Sequence, residues 1–241
     1  MSSRALSALA AFALALAVAG CGGSGSANGS AGGVATIWVT KDRGTTLVQQ
    51  GTVPAGQTLL RGLRSIAGVE TRYGGRFVQS IYGISGDASA HRDWFWFVNG
   101  LLGNTSAAQY RLHAGDIAWW DYRDWGKDFK TEVVVGAFPE PFLHGYDGHV
   151  RPAAVRFAPT LLAEARRVAS LIHATSVAPL GKPVASSANV FELVTGKSRF
   201  TAALRTPGTG PTSPVIFTYS GRVGDLLPGG PRPFLMTFSV P

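Results

Sequence analysis

The sequence predicts an α+β protein in two parts, a sheet covered by a single helix and then a smaller α+β unit. Three observations predict it. Residues 34–126 keep a strand-like period except over one stretch of helical period. A second helical stretch lies near residue 160, among short strand-like runs that Gly and Pro interrupt. No internal repeat relates the two parts.

In the first part, "VATIWVT" (34–40) reads as a strand, "KDRGTT" turns it, and "TLVQQGTVPAG" reads as a second strand leading to Gly56. "TLLRGLRSIAG" then changes period. Leu59, Leu60, Leu63, Ile66 and Ala67 recur at helical spacing, with Thr58 as N-cap and Gly68 as the C-terminal stop. "RFVQSIYGI" returns to strand. "DWFWFV" follows as another and ends at Asn99-Gly100, a hairpin signal that requires positive φ. "AQYRLHAGDIAWWDYRDW" supplies a short strand, a turn at Gly115 and a final aromatic strand. One amphipathic helix over one such sheet is a β-grasp-like arrangement for residues 34–126.

Residues 131–241 read as a smaller α+β domain. "TEVVVGAFPEPF" begins as a strand and breaks at Pro139 and Pro141. "APTLLAEARRVASLIHA" is the clearest helix. Pro159 suits its first turn, and Leu161, Leu162, Ala165, Val168, Ala169 and Ile172 form its apolar stripe. The strand candidates after it are "KPVASS", "VFELV", "RFTAAL", "SPVIFTYS" and "PFLMTFSV".

The start of the chain places it outside the cytoplasm. Arg4 precedes an apolar stretch that is shorter than the roughly 20 residues a spanning helix needs, so residues 1–21 read as a signal segment. It ends in Val18-Ala19-Gly20-Cys21, which resembles the lipobox of bacterial lipoproteins. That resemblance implies that Cys21 carries diacylglycerol and becomes the mature N-terminus. Cys21 is the only cysteine, so no disulfide forms within the chain. Residues 22–33, "GGSGSANGSAGG", have almost nothing to bury and read as a Gly/Ser tether with an r.m.s. reach of roughly 20 Å. The expectation is a cell-membrane protein, lipid-anchored and facing away from the cytoplasm.

Composition narrows the function. Hydrophobic residues make up 45% and charged residues 15% of the 241 residues, with a net charge of +8. The basic residues are scattered. There is no Lys/Arg run with interleaved aromatics, no zinc-finger spacing and no nucleotide-binding G-x-x-x-x-G-K-[ST] loop. Nucleic acid is therefore not expected as a partner. The charge reads as a solvated basic surface, with a preference for anionic lipid, cell-wall polymer or phosphorylated ligand as the other reading.

Strand parity selects the candidate binding residues. In "RDWFWFVNG", Trp94, Trp96 and Val98 share one face and Phe95 and Phe97 the other. In "DIAWWDY", Trp120 shares its face with Tyr122 and with Asp116, while Trp119 points the opposite way and is the better core residue. Trp94, Trp96, Trp120 and Tyr122 can stack a planar ring, with indole N–H groups as donors and the Asp116 carboxylate as acceptor. The same aromatics can equally fill a small sheet–helix core, with the second face covered by the C-terminal domain.

"HGYDGH" supplies the metal-competent residues His144, Asp147 and His149 on one loop, although Gly145 and Gly148 also make it an ordinary pair of turns. No base, nucleophile and oxyanion site assemble, and "GISG" is not a nucleophile elbow. A non-enzymatic protein without metal or cofactor is expected.

Across residues 34–126, Gly56-Gln57-Thr58, "SIYGI" (80–84), "WFWFVNG", Tyr110, Gly115-Asp116 and "WWDY" occur in an order that resembles a known family. It is the bacterial lipoprotein domain of unassigned function related to the C-terminal domain of transcobalamin and intrinsic factor. The resemblance implies the β-grasp-like fold. It also implies a small-molecule ligand, cobalamin-like or another vitamin, delivered to a membrane transporter of the energy-coupling-factor type. It does not extend to residues 131–241. The alternative is a non-catalytic protein-interaction or envelope-structural module.

Overall fold

The computed structural model describes residues 32–126, 129 and 131–239. The signal segment, Cys21 and nearly all of the tether lie outside the described residues.

Strands β1 (Val34–Lys41) and β2 (Thr46–Pro54) form an antiparallel hairpin. Helix α1 (Leu59–Ile66) follows, and Thr58 caps it as expected, its side chain accepting from the Arg61 N–H at 3.3 Å. Leu59, Leu60 and Leu63 are buried while Arg61 and Arg64 are exposed, so the apolar stripe of the sequence is the buried face. Burying each leucine contributes about 1.5–3 kcal/mol. A small sheet of β3 (Val69–Arg72), β4 (Phe77–Ile81) and β5 (Ile84–Ser85) comes next.

Strands β6 (Arg92–Val98), β7 (Leu101–Leu102) and β8 (Ile117–Asp124) then complete the main sheet, in the order β2-β1-β8-β6-β7. The last strand, β8, lies parallel to the first, β1, and the other pairings are antiparallel. A hairpin, a covering helix and a final strand inserted parallel to the first make the β-grasp-like arrangement expected for this part.

In the C-terminal part, helix α2 (Glu140–Leu143) precedes β9 (Ala153–Phe157), α3 (Leu162–Leu171), β10 (Ser176–Pro179), β11 (Asn189–Leu193), β12 (Arg199–Leu204) and β13 (Val215–Ser220). The sheet order is β10-β9-β11-β13-β12. Its first three pairings are parallel, and β12 is an antiparallel edge. The whole is an α+β protein with several sheets.

Four strand expectations are corrected. "TEVVVG" makes only an isolated bridge between Val133 and Leu101 and then a 3-10 turn at Val135–Ala137. The region of "AQYRL" makes only the bridge Thr58–Arg111. "KPVASS" is not a strand, and Pro183 removes an N–H donor that a ladder would need. The expected strand "PFLMTFSV" is not formed, and its described residues, 233–239, fold as turns and bends that bury Phe234 and Phe238. Conversely, β9 and β10 were not anticipated. Ala153, Ala154, Val155 and Phe157 of β9 are all buried, so it lacks the apolar–polar alternation of a one-sided strand.

Both faces of β6 are packed against other elements. Trp94, Trp96 and Val98 join a cluster with α1, β1 and β4. Phe97 joins a second cluster with Trp38, Trp119, Val134, Ala137 and Phe238. The second face is thus covered by segments C-terminal to the first sheet.

Candidate functional site

Trp96 and Trp120 are directly opposed in the β6–β8 ladder, as are Trp94 and Tyr122. Rings of Trp96 and Trp120 lie 6.4 Å apart, and those of Trp94 and Tyr122 lie 5.2 Å apart. The register therefore puts the Trp94/Trp96 face of β6 beside the Trp120/Tyr122 face of β8. Its exposure differs from the binding-surface reading. Trp94 is 6%, Trp96 9% and Trp120 2% exposed, so the three rings are walls of a packed interior rather than an open stacking platform.

A pocket of about 220 Å³ reaches these walls from outside. Trp94, Trp96 and Trp120 line it, together with Arg76 and Phe77 at the start of β4 and Gly103, Thr105, Ser106 and Ala107 after β7. The approach is close at Gly103. A Cβ there would sit 2.3 Å from the Trp96 ring, so only glycine lets the indole lie against this backbone. The polar state of the three indoles differs. Trp94 Nε1 donates to the Ile84 carbonyl at 2.7 Å. Trp120 Nε1 is buried and has no acceptor among the described residues. An unmet buried donor costs about 1–3 kcal/mol and calls for an explanation.

The remaining pocket hydroxyls are committed. Ser106 Oγ donates to the Arg76 carbonyl at 2.6 Å, and Thr105 Oγ1 donates to Gln109 Oε1 at 3.0 Å. Among the described residues the lining thus offers flat apolar walls and donors, and no carboxylate.

Two of the candidate residues fall outside this pocket. Tyr122 donates through its hydroxyl to the Ser85 carbonyl at 3.0 Å, and the Arg92 guanidinium stands 4.9 Å from its ring centroid. Asp116 precedes β8 and is buried in a polar knot. Its carboxylate accepts from Asn99 Nδ2 and from the His113 N–H, each at 2.8 Å. Burial raises the Asp116 pKa above the ordinary aspartate value, against these stabilising hydrogen bonds. Asp116 therefore holds a turn and does not face the aromatic pocket.

The "HGYDGH" loop does not converge. His144 Nδ1 meets Glu140 Oε2 at 2.5 Å. The Asp147 N–H donates to the Tyr110 hydroxyl at 3.1 Å, and the His149 N–H donates to the Tyr146 carbonyl at 3.0 Å. Positive φ at Gly145, Asp147 and Gly148 shapes this as consecutive turns. Among the described residues no cluster of three His, Cys, Asp or Glu side chains could hold a metal ion.

His149 lines a larger depression, about 370 Å³, between the two parts of the chain. The cation in its lining, Arg151, is already bonded to the Thr212 and Ser187 carbonyls, and Asn189 bridges Pro141 O and the Val215 N–H. Among the described residues that depression leaves no buried side-chain donor unmet, whereas the tryptophan pocket does.

Sequence reasoning missed Arg76, Phe77 and Gly103. The signal that points to them is the glycine-rich turn "YGGRF" beside an aromatic strand and a glycine one turn past Asn99-Gly100.

The N-terminal part combines a mixed sheet and a covering helix with an aromatic-walled pocket. Residues 56–124 match the model of a family described as a domain of unknown function (DUF4430). Two solved structures are similar over part of the chain. One is a protein from Ruminococcus gnavus ATCC 29149 described as a candidate metal binding protein. It is 19% identical, over 38% of this chain and 97% of that one, with a TM-score of 0.32. The other is haptocorrin in complex with Cbi, 15% identical over 38% of this chain and 25% of that one, also with a TM-score of 0.32. The match thus spans a quarter of the haptocorrin chain. No curated protein matches the sequence.

Proposed function

We propose that this protein is a lipid-anchored, extracytoplasmic binding protein that holds a planar ring of a small molecule between Trp94, Trp96 and Trp120. One observation carries the reading. Trp120 lines the pocket and keeps a buried indole N–H with no acceptor, so a ligand acceptor would satisfy a group that the fold leaves unmet.

Size limits the ligand. Enclosed small-molecule sites are typically about 300–1,000 Å³. The present pocket, at about 220 Å³, takes one ring or one projecting group. A cobalamin-like ligand would seat only a peripheral group here, and a smaller heterocyclic vitamin fits better. Binding without turnover accords with a lining that has no carboxylate or histidine and whose hydroxyls are committed. The lipobox-like Cys21 and the Gly/Ser tether support presentation just above a membrane, where delivery to an energy-coupling-factor type transporter is the natural use.

The rival reading, a protein-interaction module, draws on Tyr73 and Phe77, which are 77% and 41% exposed with ring centroids 6.3 Å apart. It leaves the Trp120 donor unexplained. The test is calorimetric and fluorescence titration of wild type and Trp120→Phe with indole-sized heterocycles and with cobalamin. Saturable binding that weakens in Trp120→Phe is expected. No saturable heat with any planar ring would overturn the reading.

A further inference from the structure

We infer that the ligand of the tryptophan pocket is an acid, a planar ring bearing a carboxylate or comparable anionic group, selected by Arg76 at the pocket mouth. The inference rests on the binding reading above and adds the chemical class.

Among the described residues the pocket has one ionisable side chain in its lining, Arg76. It is exposed, and among the described residues its guanidinium makes no hydrogen bond or ion pair, although its backbone is held. The local chain explains both facts. Arg76 follows a turn in which Tyr73, Gly74 and Gly75 all have positive φ, at 52°, 67° and 89°. That turn brings the start of β4 toward the 103–107 loop, and Ser106 Oγ clasps the Arg76 carbonyl at 2.6 Å. The backbone of Arg76 is thereby pinned to the opposite rim while its cationic head stays uncommitted.

The polarity of the whole lining points the same way. Among the described residues its uncommitted polar side-chain groups, the indole N–H groups of Trp96 and Trp120 and the Arg76 guanidinium, are all donors, and one is a cation. Among the described residues no carboxylate lines the pocket to receive an amine. A ring acid presents an acceptor to the indoles and an anion to the guanidinium. A protonated amine meets only like charge and donors. Charge-assisted pairing with a guanidinium is stronger than a neutral hydrogen bond and fixes orientation.

The experiment compares three probes of one ring: indole-3-acetate, its neutral amide, and tryptamine, each titrated into wild type and Arg76→Gln by calorimetry. In wild type the acid should bind about tenfold more tightly than the amide, the order of one charge-assisted hydrogen bond, and the amine should bind most weakly. Raising ionic strength should narrow the acid–amide gap. In Arg76→Gln the acid and the amide should become equal, with an unchanged melting curve. Equal affinities of acid and amide in wild type, or an acid preference that survives Arg76→Gln, would overturn the inference while leaving ring binding intact. Binding of none of the three would overturn both.

Discussion

Asn99 Nδ2 donates to Asp116 Oδ1 at 2.8 Å, and both side chains are buried. Asn99 also donates to the Gly145 carbonyl at 2.9 Å and accepts from the Ile117 N–H at 2.8 Å. A hairpin residue thus ties the end of β6, the start of β8 and the loop after α2. Replacing Asp116 by Ala leaves the Asn99 amide and the His113 N–H without this acceptor. A loss of about 1–3 kcal/mol is expected in urea unfolding. A loss below the error of that measurement would show that water replaces the carboxylate.

The same carboxylate predicts a pH dependence. Burial raises its folded-state pKa above the ordinary value of 3.8. Between those two values the folded state binds more protons than the unfolded state, so this group makes stability fall as pH rises through that window. Below 3.8 both states are protonated and the contribution is constant. Asp116→Asn should remove this slope. Unfolding free energies of wild type and variant that run parallel from acid to neutral pH would contradict the assignment.

Two glycines are predicted to be irreplaceable for different reasons. Gly100 has φ 81°, and a Cβ there would lie 2.8 Å from the Val134 carbonyl oxygen. Gly100→Val should cost at least about 1–3 kcal/mol through backbone strain alone. At Gly103 the obstacle is the Trp96 ring, and Gly103→Ala should displace the indole, cost about 1–3 kcal/mol and weaken ring binding. Melting temperatures of both variants test this, and wild-type values would mean that the close contacts are not formed.

The adjacent tryptophans should respond unequally to the same change. Trp119 Nε1 donates to Thr40 Oγ1 at 2.7 Å, so Trp119→Phe loses a satisfied buried bond as well as volume. It should be destabilised by about 1–3 kcal/mol. Trp120→Phe removes a donor that has no partner, which offsets the lost packing, and should stay within about 1 kcal/mol of wild type. Chemical denaturation of the pair decides it. A larger loss for Trp120→Phe than for Trp119→Phe would mean that the Trp120 N–H is satisfied in solution.

Cys21 is expected to carry the membrane anchor. Cys21→Ser should move the protein from the membrane to the soluble fraction of its own cells or block its processing. Wild-type membrane fractionation of the variant would rule out anchoring through this residue.

Much of the N-terminal fold was legible from the residues in order. The helical recurrence of Leu59, Leu60 and Leu63 behind Thr58, and the positive-φ demand of Asn99-Gly100, are local signals, and the structure carries both. Strand parity also paired Trp94 with Trp96 and Trp120 with Tyr122 on one face of each strand, and the β6–β8 register then brings those two faces together. Parity does not say what covers a face. Only the tertiary structure decided that the Trp120 ring is buried, that Val134, Ala137 and Phe238 seal the other side, and that Asp116 turns to Asn99. Those contacts join residues far apart in the chain, and no local pattern records them. The parallel C-terminal sheet was missed for the same reason, since strands buried on both faces lose the alternation that marks a strand. The pocket itself arises where a glycine-rich turn, a close-packed glycine and two strands meet, so its shape and its unpaired donor exist only once the chain is folded.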